Sequence, residues 1–320
     1  MSDVFRFDRS RRAVLRAGVA TVAWAGLQPG KLLAAEADVL SLLPITRTIP
    51  STGERIPVVG IGTNQFDVTS PQDIAARREV LQAMPQLGGR LLDTARGYGR
   101  SEEVIGTLLA ELGNRDRFFV ATKPVSAPQA EAKITRDLLD ESFRQLRTDR
   151  IDLMQVHSLL RLDELLPLFL EYKRAGRIRY IGVTTAVSRT HEELMAVMRR
   201  HPLDFIQVNY SIDDRAAAQG LLPLAREKGI AVLNNMPFGG RRGSLFPRVA
   251  GKKLPEWAAE FDATTWAQFM LKYCLANPAV TVVIPGTTTL ARLRDNLGGG
   301  RGRLPDAAML RRMEQYWAEI

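Results

Sequence analysis

Short apolar runs alternate with longer stretches of helical pattern from about residue 50 to the C-terminus. Each run is nearly continuous in Val, Ile, Leu, Phe or Met, as expected for strands that are buried on both faces. The predicted strands are Val58–Thr63, Arg90–Asp93, Phe118–Lys123, Ile151–His157, Arg179–Thr184, Phe205–Asn209, Ala231–Asn234 and Val280–Ile284. Helical patterns such as Ser101–Leu112 and Ala130–Leu146 lie between them. Strict alternation implies parallel strands joined by crossover helices, and eight such units predict a single-domain α/β fold, the (β/α)8 or TIM barrel.

A doubly wound sheet is the main alternative for an alternating pattern of this kind. That fold places a G-x-G-x-x-G turn after its first strand, where the glycines allow the backbone to approach a pyrophosphate. Here the segment Gly60–Gln65 reads G-I-G-T-N-Q, so glutamine stands at the third glycine position. The fingerprint is incomplete, and the pattern favours the barrel.

Polar residues end three successive apolar strands. Asp93 ends the second strand, Lys123 the third and His157 the fourth, at intervals of 30 and then 34 residues. In this fold the chemistry gathers at the carboxyl ends of the strands, so the three side chains should converge on the barrel mouth. Buried charges are costly unless they are paired, so we expect a salt bridge between Asp93 and Lys123.

A tyrosine follows the first of these residues. Tyr98 lies five positions after Asp93, between Gly97 and Gly99, and can lean over the same mouth. An adjacent lysine ammonium stabilises phenolate, so we expect the pKa of Tyr98 to fall below its usual value of about 10. A tyrosine of this kind is a usable general acid near neutral pH. A lone strand-end lysine or histidine is more often structural, but four such groups on adjacent strands indicate a site.

The segment Asp93–Glu102 reads D-T-A-R-G-Y-G-R-S-E and resembles the aldo-keto reductase signature D-T-A-x-x-Y-G-x-S-E. Lys123, in A-T-K, and His157, in M-Q-V-H, match the other two catalytic positions of that family. The resemblance runs from about residue 55 to the C-terminus. It implies hydride transfer from NADP(H) to a small carbonyl substrate, with Tyr98 giving the proton to oxygen. Asp93 and Lys123 would tune Tyr98 and His157 would orient the carbonyl, while the cofactor carries the redox chemistry.

The eighth strand runs into a Gly-Thr turn that opens a helix. Such a turn offers free backbone N–H groups to an anion, and a nearby arginine adds a charged partner for phosphate. Against the family pattern, Thr287 and Arg292 match positions that grip the 2′-phosphate, and Asn296 matches one at the adenine. Gly286, Thr288 and Asp295 complete this predicted set. The alternative is an ordinary helix start with solvated arginines.

The resemblance places the nicotinamide at the ends of other strands. Gly62 and Thr63 match family contacts after the first strand, and Gln207 matches a carboxamide contact on the sixth. Where the family usually has Ser-Asn after the fifth strand, this chain has Thr184 and Thr185, which keeps a hydroxyl and loses the amide. The further predicted cofactor contacts are Asp93, Asn235, Pro237, Phe238 and Gly239.

The loop after the seventh strand departs most from the family pattern. Asn235 stands where the family often has a tyrosine that stacks on the nicotinamide. Losing that surface weakens cofactor binding by about 1 kcal/mol, judged from aromatic contact energies. The basic loop that follows, residues 239–257, either closes over the pyrophosphate or is solvated. Phe66, Met236 and Phe238 suggest an apolar mouth, and the substrate is otherwise unconstrained.

Residues 1–37 have the order of an export signal, with a basic region, an apolar region and a small-residue site. Ser10–Arg12 leads into the weakly apolar stretch Ala13–Leu27, a run that resembles a twin-arginine signal. This implies cleavage after Ala37 and export of a folded barrel, residues 38–320, to the periplasm by the twin-arginine machinery. The apolar stretch is too short to span a bilayer, so no stable membrane insertion is expected after cleavage. The alternative is a disordered basic N-terminus on a cytosolic enzyme.

The composition limits the other classes of function. The formal net charge is +9, but the first 37 residues supply +3 of it, which leaves +6 for the rest. No nucleic-acid motif accompanies this charge, so a nucleic-acid partner is not expected. The single Cys274 excludes an intramolecular disulfide and a cysteine-built zinc site, and the three histidines stand far apart. No metal is therefore expected.

Two other functions stay open at this point. A barrel that binds NADP(H) as an exported redox sensor or subunit is favoured by Asn235 and by the export signal, because the periplasm has no obvious NADPH supply. A metal-dependent barrel hydrolase needs several His and carboxylate ligands at strand ends, and only Asp93 and His157 are there.

Overall fold

A two-stranded hairpin, which the hydrophobic pattern does not predict, precedes the barrel. The computed structural model describes residues 39–125, 134–240 and 243–320. In this part of the chain β1 (Thr46–Thr48) pairs antiparallel with β2 (Arg55–Pro57). Ile49 and Ile56, which flank the turn, are fully buried among side chains from the barrel interior. The hairpin therefore closes the end of the barrel where the strands begin.

Eight parallel strands form the barrel, and each pairs with its neighbour in chain order. They are β3 (Ile61–Gly62), β4 (Leu91–Asp93), β5 (Phe119–Thr122), β6 (Ile151–Val156), β7 (Ile178–Thr184), β8 (Phe205–Asn209), β9 (Ala231–Asn235) and β10 (Val282–Val283). The ring closes between β3 and β10, where Val59 bridges Val283 and Gly62 bridges Gly286. The predicted (β/α)8 barrel is confirmed.

Helices connect the strands and cover the outside of the barrel. The described α-helices are α1 (Pro71–Ala83), α2 (Ser101–Leu112), α3 (Arg136–Gln145), α4 (Leu162–Arg174), α5 (His191–Arg200), α6 (Leu221–Lys228), α7 (Phe246–Val249), α8 (Trp266–Ala276), α9 (Leu290–Gly298) and α10 (Ala307–Glu319). Short 3₁₀ turns lie at Val39–Ser41, Arg115–Arg117, His157–Leu159, Ser188–Thr190, Ala216–Gln219 and Glu256–Phe261. The start of α9 matters for function, since Thr289 caps it by accepting from the Arg292 backbone N–H at 3.4 Å.

The core has two layers, one inside the barrel and one between strands and helices. Phe119, Tyr180 and Phe205 pack ring against ring in the inner layer, with centroids 5.4 to 5.9 Å apart. Gly182 allows this close packing, because a Cβ there would lie 2.9 Å from the Phe205 carbonyl oxygen. Inward-facing residues thus fill the barrel and leave its other end for the site.

Most predicted elements are present, with shifts at their ends. Helix Ser101–Leu112 and strand Phe205–Asn209 have the predicted bounds, whereas only Ile61–Gly62 of the predicted first strand is paired as a strand. The eighth strand is likewise short, because proline and glycine follow it directly. The predicted helix Ala130–Leu146 is described only from Arg136, where Thr135 caps it.

The predicted signal, residues 1–37, and its cleavage after Ala37 lie outside the described residues, and both stay predictions. No helix in the described part of the chain has both the length and the apolar character needed to cross a bilayer.

Candidate active site

A cavity of about 1010 Å³ opens at the carboxyl ends of the barrel strands. It is lined by residues that follow almost every strand, as this fold requires for a site built from βα loops. The predicted site residues on its wall are Gly62, Thr63, Asp93, Tyr98, Lys123, His157, Thr184, Gln207, Asn235, Pro237, Phe238, Gly239, Gly286, Arg292, Asp295 and Asn296. Thr185, Thr287 and Thr288, also predicted, do not line it.

The predicted salt bridge between β4 and β5 is present at the floor of the cavity. Lys123 Nζ lies 2.7 Å from Asp93 Oδ2 and also donates to the Thr94 carbonyl oxygen at 2.8 Å. Both charged side chains are almost completely buried. Burial alone would lower the pKa of Lys123, but Asp93 and Tyr98 outweigh it and raise that pKa above its ordinary value. Lys123 is therefore a fixed positive charge beneath the cavity.

Tyr98 leans over this pair from the loop after β4. The Lys123 ammonium lies 5.3 Å from the centre of the Tyr98 ring. The expectation that Lys123 lowers the Tyr98 pKa below its usual value is wrong in this structure. The Lys123 charge is the largest single influence and does lower the pKa of Tyr98, yet burial and the Asp93 charge together outweigh it and raise the pKa. The phenol is therefore protonated at neutral pH.

His157 stands across the cavity from the tyrosine. The two rings meet edge to face, with centroids 6.2 Å apart and planes at 88°. Burial, helped by the Lys123 charge, lowers the pKa of His157 to about 4, so the ring is neutral at physiological pH. The backbone turns sharply after it, with Ser158 at φ 54° and its N–H donating to Thr184 Oγ1 at 3.1 Å. His157 is thus a neutral imidazole held at the start of a strained turn.

Two glutamines hold Asp93 from the far side. Gln207 Nε2 donates to Asp93 Oδ2 at 3.2 Å, and Gln155 Nε2 donates to Oδ1 at 3.3 Å. The amide oxygens of both glutamines are buried and have no hydrogen-bond partner in the described part of the chain. Gln155 was not predicted as a site residue, although it stands two residues before His157 in the predicted strand Ile151–His157. In a strand such residues share a face, so this spacing was the signal for it.

The loop after β10 forms the second part of the site. Asn296 Nδ2 donates to Thr287 Oγ1 at 2.8 Å, and the Thr287 hydroxyl donates to the Pro285 carbonyl oxygen at 3.1 Å. Arg292 donates to Thr288 Oγ1 at 3.2 Å. Thr287 and Thr288 are buried and brace the turn from behind, while Gly286 and Arg292 face the cavity. Thr287 and Thr288 thus support the turn in this structure, and their contacts with the cofactor stay predictions.

Two further residues do not face the cavity in this structure, and Thr185 stays a prediction as a cofactor contact. The Thr185 hydroxyl lies 2.5 Å from Thr190 Oγ1 and also receives the Val187 N–H, which turns it into the start of the next helix rather than the cavity. Phe66 is fully buried beneath Arg77 and does not belong to the apolar mouth, whereas Met236 and Phe238 line the cavity. Asn235 also lines it, with its Oδ1 buried and unpartnered.

No group of three or more His, Cys, Asp or Glu side chains that could hold a metal ion occurs among residues 39–125, 134–240 and 243–320.

Comparison with known proteins decides the family. The model of the Aldo/keto reductase family matches residues 58–316, most of the chain. This chain belongs to the aldo-keto reductase family. The predicted family resemblance is confirmed, and with it an NAD(P)-dependent oxidoreductase. Aldo-keto reductases use NADP(H) and act on small carbonyl substrates, so both predictions hold for the family.

Relatives of this aldo-keto reductase agree in sequence and in fold. Aldo-keto reductase YhdN of Bacillus subtilis is 31% identical over 58% of this chain, and the match spans only 60% of that relative. Aldo-keto reductase yakc [NADP(+)] of Schizosaccharomyces pombe is 26% identical over 80% of this chain and 87% of its own. The holo form of aldo-keto reductase AKR11C1 from Bacillus halodurans is 26% identical and superposes with a TM-score of 0.65, covering 86% and 96% of the two chains.

Proposed function

We propose that this chain reduces aldehydes or ketones to alcohols with NADPH, and that Tyr98 is the general acid. One observation carries the proposal: a protonated Tyr98 stands beside the buried Lys123–Asp93 pair at the floor of a large cavity, with the Lys123 ammonium 5.3 Å from its ring centre. The rise in the pKa of Tyr98 keeps the proton available at neutral pH. Lys123 offsets the cost of giving it up, because its charge lies beside the phenolate that remains.

The remaining groups of the floor position the reaction. A neutral His157 can donate a hydrogen bond from its ring N–H to the substrate carbonyl oxygen. It does not compete with Tyr98 as an acid, since its pKa is about 4 and it carries no extra proton at neutral pH. Asp93 holds Lys123 at 2.7 Å and is itself held by Gln155 and Gln207. The proton donor, its cation and the orienting imidazole are therefore fixed before substrate arrives, which lowers the reorganisation needed in the transition state.

The residues present fit a nicotinamide dinucleotide. When bound, NADP(H) supplies the hydride that the protein itself cannot. The buried, unpartnered Oε1 of Gln207 and Oδ1 of Asn235 are acceptors on the cavity wall, as a carboxamide NH₂ requires. At the other end, Gly286, Arg292 and Asn296 offer a turn and a cation to the phosphate. Thr184, Pro237, Phe238 and Gly239 would line the path between the two ends.

The test of this proposal is a fluorescence titration of the mature protein with NADPH and NADH, followed by a panel of aldehydes and ketones. Arg292→Ala should weaken NADPH binding by at least tenfold, since charge-assisted bonds to phosphate contribute roughly 1.5–3 kcal/mol. NADPH oxidation should continue for many turnovers with one alcohol formed per NADPH. Binding of neither dinucleotide would refute the assignment.

A binding function without turnover is the second candidate, and Asn235 favours it. The cavity lacks at that position the aromatic surface that the resemblance leads us to expect. This candidate expects tight NADP(H) binding and at most one turnover with every carbonyl of the panel. Steady multiple turnover at low carbonyl concentration excludes it.

We further propose that the chain is exported in the folded state with its cofactor. The support is the order of features in residues 1–37, with Arg11 and Arg12 ahead of an apolar stretch, and the lack of any need for disulfides with a single Cys274. Cell fractionation tests it: the protein should appear in the periplasm, and Arg11→Lys with Arg12→Lys should retain it in the cytoplasm. Equal distribution of the two forms contradicts the proposal.

A further inference from the structure

Arg77, on α1, is a buried cation that the sequence analysis did not place in the site. It is only 7% exposed and lies over the Phe66 ring, 5.6 Å from its centre. Its guanidinium donates to the Gln65 carbonyl oxygen at 2.9 Å and to the Thr288 carbonyl oxygen at 3.2 Å. Gln65 follows β3 and lines the cavity, whereas Thr288 belongs to the turn after β10. Arg77 therefore joins the two loops on either side of the barrel closure.

A second arginine converges on the same threonine. Arg292 donates to Thr288 Oγ1 at 3.2 Å, while Arg77 holds the carbonyl oxygen of that residue. Burial lowers the pKa of Arg77, Asp73 opposes this, and the like charge of Arg292 lowers the pKa further. Two guanidinium groups thus share one turn.

The described residues supply little negative charge to balance this pair. Asp73 lies 3.7 Å from Arg77, but its side chain is 54% exposed and also receives the Ser70 hydroxyl. No ion pair among the described residues involves Arg292, and the nearby Asp295 accepts hydrogen bonds at Oδ1 from Thr265 and Gln268. The Arg77 Nε–H is buried and has no hydrogen-bond partner in this part of the chain. A buried arginine with an unused donor, next to the exposed Arg292, is expected at a site that takes up an anion.

We infer that Arg77 is a second phosphate-site arginine, which acts with Arg292 to select NADP(H) over NAD(H). It acts by its charge on the 2′-phosphate and by fixing the Thr288 turn, not by contact with the reacting atoms. The inference rests on the proposed binding of NADP(H). It adds a positioning residue on the first helix to a phosphate site otherwise built from the loop after β10.

The experiment compares Arg77→Gln with Arg77→Lys in the full mature chain, and Arg78→Gln is the matched control. Arg78 is the next residue of the same helix, but its side chain is 39% exposed and pairs with Glu111 on α2. The dissociation constants of NADPH and NADH are measured by fluorescence, and those of 2′,5′-ADP and 5′-AMP by calorimetry. The last two ligands lack the nicotinamide, so they isolate the phosphate from any effect through the Gln65 loop.

Arg77→Gln should raise the dissociation constants of NADPH and 2′,5′-ADP by about tenfold, while those of NADH and 5′-AMP change by less than about twofold. Arg77→Lys, which keeps the charge, should retain most of the preference for NADPH, and Arg78→Gln should change none of the four. An equal rise in the dissociation constants of the ligands with and without the 2′-phosphate would mean that Arg77 only holds the two loops together, and would overturn the inference. If Arg77→Gln does not fold, the lysine variant decides, because loss of the preference there equally excludes a role for the charge. A wild-type protein that binds no dinucleotide instead refutes the proposed function.

Discussion

The two ends of the barrel use buried charge in opposite ways. Where the strands begin, all four carboxylate oxygens of Glu54 and Asp152 accept hydrogen bonds, from arginines, from Tyr180 and from the Val120 N–H. Where the strands end, Lys123 and Asp93 form a close ion pair of 2.7 Å. Several polar atoms around this pair, however, lack hydrogen bonds within the described part of the chain. Four buried atoms there have no hydrogen-bond partner among the described residues: Gln155 Oε1, Gln207 Oε1, Asn235 Oδ1 and His157 Nδ1.

The difference separates structure from function. A buried polar group without a partner costs about 1–3 kcal/mol, so a fold keeps several of them together only where something else compensates. Where the strands begin, the carboxylate oxygens of Glu54 and Asp152 all have donors, and the network stabilises the fold. At the cavity end the open acceptors and the neutral imidazole are available to a ligand, which supports the assignment of this end as the site.

The largest difference between the two ends is expected in kcat/KM, when one tyrosine hydroxyl is removed from each end. Tyr98→Phe should lower kcat/KM for carbonyl reduction by about 10²–10⁴-fold, the usual contribution of a general acid, and leave NADPH affinity within about twofold. Tyr180→Phe should leave kcat/KM unchanged and cost about 1 kcal/mol of unfolding free energy, because Glu54 keeps its two arginines. Steady-state kinetics and chemical denaturation measure both. Full activity in Tyr98→Phe contradicts the mechanism.

The next largest difference is expected in the free energy of unfolding, when one cation is removed from each end. Lys123→Met leaves Asp93 buried and unpaired, so we expect a loss of about 3 kcal/mol in the free energy of unfolding together with loss of reduction. Arg90→Met removes one of the arginine partners of Glu54. Because the Arg90 side chain is 35% exposed, this should lower the free energy of unfolding by less than about 1 kcal/mol. Urea unfolding of the two variants measures this, and similar losses would mean that the Lys123–Asp93 pair has no special energetic role.

A pH titration of stability sharpens the comparison at His157. Its pKa is about 4 in the fold and about 6.5 when unfolded, so the unfolded chain takes up the proton first as pH falls. His157 should therefore remove roughly 3 kcal/mol of stability between pH 6.5 and pH 4, and nothing further below that. The slope of unfolding free energy against pH reports it, and His157→Asn should flatten the slope in this window. An unchanged slope in that variant argues against a buried neutral imidazole.

The smallest effect is expected from filling an open position. Asn235→Tyr should tighten NADPH binding by about three- to tenfold, because an aromatic surface adds roughly 0.5–1.5 kcal/mol to a stacked contact. Asn235→Ala, which offers neither ring nor amide, should not tighten it. Fluorescence titration of the two variants decides, and equal affinities would show that no stacked contact forms at this position.

The barrel and its four central residues were predictable because two signals coincide in one place. Each apolar run is long enough to indicate a strand, and three of them end in an ionisable side chain: Asp93, Lys123 and His157. The hairpin was not predictable, since strands of three residues with Thr, Arg and Pro carry no periodic pattern.

The electrostatics of the site could not be predicted from spacing. Lys123 does act on Tyr98 as expected, but the net direction of the pKa depends on burial and on the distance to Asp93. The directions of the Thr185 and Thr288 side chains could not be predicted from the sequence either. Both make local hydrogen bonds that depend on the folded backbone. Sequence positions indicate which residues reach the site, and three-dimensional packing determines which of their atoms face it.

The barrel closes between β3 and β10 through only a few of the described backbone hydrogen bonds, and we call this closure the joint. These strands have two residues each, and the joint depends on the amides of Gly60, Gly62 and Val283, with N–O distances of 2.9 to 3.0 Å. These amides should exchange hydrogen with solvent sooner than those of the longer strands β6 and β7. Gly62 and Gly286 both line the cavity, on opposite sides of the joint. A ligand held by both would slow this exchange, so that binding at a hundredfold excess over its Kd adds about 2.7 kcal/mol to the stability of the whole ring.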